Sequence, residues 1–74
     1  MARDSEQKWR YEFARRIRER LEYLELSQRE LSRRTGIPQG TISRYASGSM
    51  TPKADVIPKL AKGLILPVSE LIDF

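Results

Sequence analysis

The sequence predicts an all-α domain of five short helices, and three observations lead to this prediction. Apolar residues between Trp9 and Leu24 recur at spacings of three and four residues, the period of one helix face. Ser27 opens a helix-start motif before the next apolar stretch. Glycine and proline then divide the rest of the chain into short segments. The 74 residues have room for one domain, 1–74, around one small core.

The first helix is predicted over about 5–24. Asp4 stands three residues before Gln7, and this spacing predicts a capping box at the N-terminus. One apolar stripe is expected to face the core, while charged side chains fill the other faces. The stripe consists of Trp9, Phe13, Ile17, Leu21 and Leu24. Residues 1–12 extend helix 1 past the expected core, so Trp9 and Tyr11 are alternatively contacts to a partner.

The second and third helices carry the clearest start and stop signals. Ser27 and Glu30 make a Ser-x-x-Glu capping box, and Gly36 is expected to end the second helix in a left-handed conformation. The third helix is predicted over about 38–46, with a proline in its first turn and Gly48 at its end. Two short helices joined by a short turn that contains glycine have helix-turn-helix geometry.

The last two helices are predicted to be short because prolines interrupt the chain. Pro58 would break the interior of a longer helix, so the fourth helix is predicted to start with Asp55 as N-cap and to run to Lys62. Pro67 then opens the fifth helix, over 68–72.

Cysteine and histidine are absent from the chain. Their absence excludes disulfides, Cys/His zinc sites, thiol nucleophiles and histidine bases, so an enzyme is a remote alternative and no metal or cofactor is expected. The charged start, Met1–Arg10, is unlike a secretory signal, and the apolar run Leu64–Val68 is far shorter than the ~20 residues that span a bilayer. We therefore expect a cytoplasmic protein with no membrane partner and no small-molecule ligand.

Charge is unevenly distributed along the chain, whose net charge is +4. No acidic residue lies between Glu30 and Asp55. The basic residues in that interval are Arg33, Arg34, Arg44 and Lys53. Since carboxylates repel phosphates, a segment without them is suited to nucleic acid. We therefore predict that this segment forms the functional face.

Several motifs stand in a common register along the chain. They are Ile17-Arg-Glu, Leu26-Ser-Gln-Arg-Glu-Leu31, Gly36-Ile37, Thr41-Ile-Ser-Arg-Tyr45, Gly48 and Leu60-Ala61. From about Phe13 to Ile72, the chain resembles the Cro/repressor-type helix-turn-helix family of bacterial and phage regulators. The resemblance implies a lambda-repressor-like domain that inserts its third helix into the major groove of double-stranded DNA, usually as a dimer on a palindromic site.

The third helix supplies the candidate base contacts. With Ile42 and Tyr45 facing inward, its polar residues face outward, and the forked ends of glutamine and arginine match adenine and guanine edges. Gln39 aligns with the family's commonest base-contacting glutamine. The predicted base contacts are Gln39, Gly40, Thr41, Ser43 and Arg44. The alternative is that each of these residues is merely solvated.

Phosphate contacts are expected from the residues around that helix. The resemblance implies that Gln28, the first residue of the second helix, holds a phosphate at the positive end of that helix. The loop after the third helix would follow the DNA backbone. The predicted phosphate contacts are Gln28, Arg29, Ser47, Ser49 and Lys53. For Arg29 and Arg33 a merely solvated role is an equal alternative.

Three features depart from the family pattern. Glu25 replaces the usual glycine before Leu-Ser-Gln, and a left-handed conformation there would cost about 1 kcal/mol. Pro38 replaces the usual Ser/Thr cap, which leaves the first N–H groups of the third helix without a side-chain partner. Leu21 and Ala46 occupy the places of a paired arginine and glutamate, and we expect an apolar contact to replace that ion pair.

These features favour a sequence-specific DNA-binding domain of a transcriptional regulator of the repressor type. The alternative is an antitoxin-like or other protein-interaction module that binds DNA as an adjunct. A symmetric operator requires a symmetric protein, so a homodimer is expected. The apolar tail is predicted to complete the core and form the dimer interface through Val68, Leu71, Ile72 and Phe74.

Overall fold

Five α-helices form the architecture of the computed structural model, which describes residues 2–74, with side chains from Ser5 onward. In chain order they are α1 (Ala2–Leu24), α2 (Gln28–Thr35), α3 (Gln39–Ser47), α4 (Val56–Gly63) and α5 (Val68–Ile72). No strand occurs within 2–74. The all-α prediction is confirmed. Over the same range, no helix is long and apolar enough to cross a membrane.

The start of α1 differs from the prediction. The helix begins at Ala2 and runs through Asp4, so Asp4 is not its N-cap, and the predicted capping box with Gln7 is wrong. Gln7 instead donates a hydrogen bond from Nε2 to the Tyr11 hydroxyl at 2.9 Å. The first turns contain good helix formers and neither glycine nor proline, so nothing in the sequence stops the helix at residue 5.

The core lies where one face of every helix converges. Its largest fully buried side chains are Phe13, Ile17, Leu31, Ile42, Leu60, Leu64 and Leu71. Burying a side chain of this size stabilises a protein by about 1.5–3 kcal/mol relative to leaving it exposed. The predicted stripe of α1 is confirmed, with Trp9 and Leu24 half-buried at the edge of the core. α1 packs against both α3 and α5, and therefore serves as the scaffold that positions the other helices.

Two caps fix the helix-turn-helix formed by α2 and α3. Ser27 Oγ accepts a hydrogen bond from the Glu30 N–H at 3.0 Å, and Glu30 Oε1 accepts one from the Ser27 N–H at 3.1 Å. The predicted capping box is therefore confirmed. Gly36 ends α2 with a φ of 77°, and Thr35 Oγ1 accepts a hydrogen bond from the Ile37 N–H at 3.2 Å within the turn. These bonds set the angle at which α3 leaves α2.

The N-terminus of α3 has no side-chain cap, as predicted. Pro38 is the N-cap residue, with φ −56° and ψ 141°, so the helix begins at Gln39, one residue later than predicted. The Pro38 carbonyl accepts hydrogen bonds from the N–H groups of Thr41 and Ile42 at 3.0 and 3.1 Å. Backbone groups alone therefore begin this helix.

Two residues other than glycine end helices in the left-handed conformation. Glu25 follows α1 with a φ of 54°, as the family pattern suggested, and Ile65 follows α4 with a φ of 57°. After α4, the Leu66 N–H donates to the Ala61 carbonyl at 2.9 Å, which is the Schellman pattern that favours glycine at the left-handed position. Each such residue costs roughly 1–2 kcal/mol, so these two turns are strained.

The joint between α1 and α3 is apolar where the family pattern has charge. Leu21 and Ala46 are 7% and 3% exposed, and both belong to the core cluster. Their burial supports the expectation that apolar packing replaces the ion pair. An uncompensated carboxylate at this place would be buried at high cost.

Candidate nucleic-acid interface

The third helix presents a polar face to solvent and an apolar face to the core. Its buried residues are Ile42, Tyr45 and Ala46. Residues four apart lie on the same side of a helix, so the remaining positions form one outer face. Gln39, Gly40, Ser43 and Arg44 are exposed, and Thr41 is half-buried. The structure therefore brings the five predicted base-contact positions together, with Thr41 at the border of the face.

The positive charge of the chain is concentrated around this helix. Four of the 14 basic residues and none of the ten acidic residues lie within 31–54. The ten basic and ten acidic residues elsewhere cancel, so the net charge of +4 is that of this segment. Among the described side chains, both ion pairs lie within α1, so no carboxylate forms an ion pair with a basic residue of 31–54. The neighbouring Glu30 lies close enough to Arg33 and Arg34 to offset part of their charge. The net positive charge that remains in this segment attracts phosphate.

Gln28 and Arg29 are the first two residues of α2, the place expected for phosphate contacts at a helix N-terminus. Gln28 is half-buried, and Arg29 is exposed. Glu30 lies in the same turn. A hydrogen bond from the Ser27 backbone is the main cause that holds the pKa of the Glu30 carboxyl below its usual value, and a hydrogen bond from the Ser27 side chain adds to it. The carboxylate is therefore ionised at neutral pH and offsets part of the positive end of α2.

Ser47 and Ser49 meet at the C-terminal end of α3. Their hydroxyls lie 3.1 and 3.2 Å from the Arg44 carbonyl, which accepts from both, and 2.9 Å from each other. A hydroxyl that binds phosphate has to leave that carbonyl first. Lys53, by contrast, is exposed and stands in the following loop. Of these three predicted phosphate contacts, Lys53 is the one whose donors are not engaged in capping α3.

The sequence predicts that the arginines of α1 lie on a solvated surface. In the structure, several of them donate hydrogen bonds to backbone carbonyls of other helices, which the prediction missed. Arg10 Nε donates to the Gly48 carbonyl at 3.1 Å, and Arg18 Nη1 donates to the Ala46 carbonyl at 2.5 Å. Cations near a helix C-terminus are stabilised by the helix dipole. These two arginines therefore hold the C-terminal end of α3 against α1.

Two further arginines bind the ends of the other C-terminal helices. Arg20 donates to the carbonyls of Leu64 and Ile65 at 2.8 and 2.9 Å, beside the strained turn after α4. Arg16 reaches two carbonyls at the end of α5 at 2.5 and 2.9 Å. The sequence carries one sign of these contacts, since six of the seven basic residues of α1 are arginine. The forked donors of arginine suit a pair of carbonyls better than the single ammonium group of lysine does.

One predicted dimer contact needs correction. Leu71 is fully buried in the core, so its side chain offers no surface to a second copy. Ile72 is half-buried, whereas Val68 and Phe74 are 38% and 43% exposed.

Trp9, one of the two residues considered for a partner, is engaged within the chain. Its ring stacks on Phe13 at a centroid distance of 5.1 Å and lies 5.4 Å from the ring of Phe74. Tyr11, the other, is 53% exposed. Of the two aromatic residues, Tyr11 is the more available to a binding partner.

The fold and this surface define a DNA-binding protein of the helix-turn-helix class. A helix-turn-helix family model matches residues 15–71. The chain belongs to this family, and the predicted membership of the Cro/repressor type is confirmed. Members of the family are DNA-binding transcriptional regulators and not enzymes.

Among curated proteins, the chain is similar to the cryptic phage CTXphi transcriptional repressor RstR of Vibrio cholerae. The two are 32% identical over 60 residues, which cover 81% of this chain and 54% of that protein. The chain thus spans about half the length of this relative. No solved structure matches the chain significantly.

Proposed function

We propose that this chain recognises a specific sequence of double-stranded DNA through α3 and represses transcription as a homodimer on an inverted-repeat operator. The outer face of α3 carries this proposal. It exposes Gln39, Ser43 and Arg44 within a segment, 31–54, that holds no carboxylate. Polar donors with forked ends on a carboxylate-free helix fit the edges of base pairs and the phosphates beside them.

Gln39 and Arg44 supply the base recognition. The amide of Gln39 pairs with an adenine edge at the N-terminal end of α3, and the guanidinium of Arg44 pairs with guanine about one turn further on. A good paired contact of this type contributes about 1–3 kcal/mol of discrimination against a wrong base. Ser43 and Thr41 add single hydrogen bonds or a contact to a thymine methyl group.

Gly40 supports a close approach of the helix to DNA. Glycine inside a helix costs roughly 0.5–1 kcal/mol relative to alanine. A Cβ added at Gly40 would meet no atom within 4 Å, so the packing of this protein does not require glycine there. Its φ is not in the left-handed range, so the backbone does not require glycine either. A ligand that approaches the helix backbone accounts for the residue.

Phosphate contacts position the helix without reading sequence. Lys53 supplies a charged contact from the loop after α3. Gln28 and Arg29 supply others from the start of α2. Ser47 and Ser49 join them once their hydroxyls turn from the Arg44 carbonyl to a phosphate.

Two features support dimerisation and repression. Val68 and Phe74 leave apolar surface open at the C-terminal end of the chain, with Ile72 beside them, and this patch can pack against the same patch of a second copy. Similarity to a protein named as a phage transcriptional repressor supports repression.

Selection from a random duplex library at moderate salt, followed by sequencing, tests this function. We expect enrichment of an inverted repeat whose half-sites lie about one helical turn apart, or a multiple of that distance. A matched control is the Gln39→Ala/Arg44→Ala variant, which should bind the library weakly and enrich no motif. Binding of the unmodified chain without any enrichment would contradict sequence recognition, and enrichment of isolated half-sites would contradict the dimer.

A further inference from the structure

One aromatic residue outside the five base-contact and five phosphate-contact positions lies against the turn that follows α3. Tyr11 stands in the N-terminal part of α1 and is 53% exposed. A Cβ added at Gly48 would lie 2.6 Å from Tyr11 Cδ1 and 3.1 Å from Cε1, so the ring covers the backbone of this turn. The neighbouring Arg10 donates to the Gly48 carbonyl at 3.1 Å. Tyr11 therefore lies at the start of the loop that carries Ser49 and Lys53.

The hydroxyl of Tyr11 is prepared to donate a hydrogen bond. Its oxygen accepts a hydrogen bond from Gln7 Nε2 at 2.9 Å, which leaves the phenolic proton free. A hydroxyl that accepts one hydrogen bond becomes a stronger donor of another. Because the ring packs on Gly48, its position is set before any ligand arrives, which lowers the entropy cost of binding.

We propose that Tyr11 donates its phenolic hydrogen bond to a phosphate of the DNA strand that the loop after α3 follows. The N-terminal turns of α1 then belong to the DNA interface and do not only support the core. This inference rests on the proposed binding of duplex DNA. Tyrosine hydroxyls are among the ordinary donors to phosphate oxygens, and such contacts fix the orientation of a protein on the duplex without reading its sequence.

The charges near Tyr11 permit this contact. Among the described side chains, the acidic residues on α1 within about a turn and a half of Tyr11 are Glu6 and Glu12. Glu6 pairs with Arg10 at 3.4 Å, and Glu12 pairs with Arg15 at 2.6 Å, so a positive partner compensates each carboxylate. Lys8, one turn before Glu12, is exposed and adds a positive charge to this end of α1.

The test compares Tyr11→Phe with Tyr23→Phe on the operator recovered by selection and on random duplex. The first change removes the hydroxyl and keeps the ring over Gly48. We expect it to weaken binding to both duplexes by about fivefold to tenfold, the size of one modest hydrogen bond. Tyr23 is also exposed on α1, but its ring stacks under Arg20, so Tyr23→Phe should bind like the unmodified chain. Urea unfolding should be unchanged in both variants.

Replacing single phosphates of the operator with neutral methylphosphonates identifies the contact. One phosphate should matter to the unmodified chain and cease to matter in Tyr11→Phe. The salt dependence of binding should not change in this variant, because a neutral hydroxyl releases no counterion. Equal affinity of Tyr11→Phe and the unmodified chain would overturn the inference, as would a loss that no single phosphate accounts for. If the unmodified chain bound no duplex at all, the proposed function itself would fail.

Discussion

The arginines of α1 and the basic residues of 31–54 share a charge but differ in what surrounds them. Arg10, Arg16, Arg18 and Arg20 each donate to a backbone carbonyl at the end of another helix. Arg44 and Lys53 are exposed, and among the described residues no carboxylate pairs with them. The first group is bound within the protein, while the second is open to a ligand.

The difference shows that counting basic residues does not locate a nucleic-acid surface. Helix C-termini carry partial negative charge, and α1 crosses the ends of α3, α4 and α5. Its arginines therefore find acceptors inside the fold. The segment 31–54 has no acidic residue of its own, and the neighbouring Glu30 offsets only part of the charge of Arg33 and Arg34, so net positive charge remains available.

The largest effect is expected from a substitution at the buried contact between α1 and α3, where α1 supports the third helix. Ala46→Glu places a carboxylate at a position that is 3% exposed. We expect a loss of about 3 kcal/mol in the free energy of unfolding, measured by urea denaturation, because the charge is buried in the core without the arginine that the family pattern has in place of Leu21. Leu21→Arg/Ala46→Glu should recover much of it. A loss below about 1 kcal/mol would show that Arg18 or solvent accommodates the charge.

Arg44→Ala and Lys53→Ala test the basic residues that are open to a ligand. Removing the proposed paired contact to guanine should weaken operator binding by about 1–3 kcal/mol and relax preference at one base pair. Lys53→Ala should weaken operator and random duplex equally and reduce the slope of affinity against salt by about 1. Affinity measured over a salt series separates the two roles. Equal behaviour of the two variants on both duplexes would contradict the assignment.

Arg20→Ala is expected to lower stability and to leave DNA specificity unchanged, which is the reverse of what we expect for Arg44→Ala. The size of the effect should also be smaller. Losing two charge-assisted bonds to the Leu64 and Ile65 carbonyls should lower the free energy of unfolding by about 1–2 kcal/mol, since the site is partly open to solvent. The ratio of operator to random affinity should stay unchanged. The control is Arg15→Ala, whose pair with Glu12 is open to solvent, so the free energy of unfolding should change much less in this variant than in Arg20→Ala. Equal losses in the two variants would mean that the carbonyl contacts contribute nothing.

Gly40→Ala should move stability and binding in opposite directions. Alanine raises helix propensity, so the free energy of unfolding should rise by roughly 0.5–1 kcal/mol. The added methyl group stands on the face proposed to approach DNA, so operator affinity should fall. Should Gly40→Ala gain stability and keep full affinity, the close approach proposed for this residue would be wrong.

The smallest effect concerns pH. The pKa of Glu30 is lowered in the folded chain by its hydrogen bonds from Ser27, so this carboxylate stabilises the fold above the ordinary glutamate value of 4.5. That contribution is lost as the pH falls through the lower folded value. Glu30→Gln keeps an acceptor for the cap, so its stability should decline less on acidification. Urea unfolding at neutral and acidic pH measures the difference, and identical pH profiles would contradict it.

Local signals predicted the elements of the fold well. The Ser27–Glu30 capping box, Gly36 and Gly48 mark α2 and α3 because caps act over a few residues. Burial of Ile42 followed from helical spacing. The left-handed Ile65 could not be predicted, because propensity disfavours a β-branched residue there, and the turn in which it lies joins two helices whose packing no local pattern gives.

The composition of the candidate site was predictable, but its connections were not. The outer face of α3 followed from which of its residues are apolar. The contacts of Arg10 and Arg18 with α3 join residues 38 and 28 positions apart, and no local pattern encodes such distances. The same holds for Leu71, whose apolar character fits both a core and an interface until the position of α5 is known.

The most direct measurement takes one arginine from each group. It records the free energy of unfolding and the affinity for DNA for both Arg20→Ala and Arg44→Ala. Our account predicts that Arg20→Ala loses stability and keeps the ratio of operator to random affinity. Arg44→Ala should keep its stability and lose that ratio. If both variants lost stability and specificity together, or if Arg44→Ala weakened operator and random duplex alike, the division between supporting and DNA-binding arginines would be wrong.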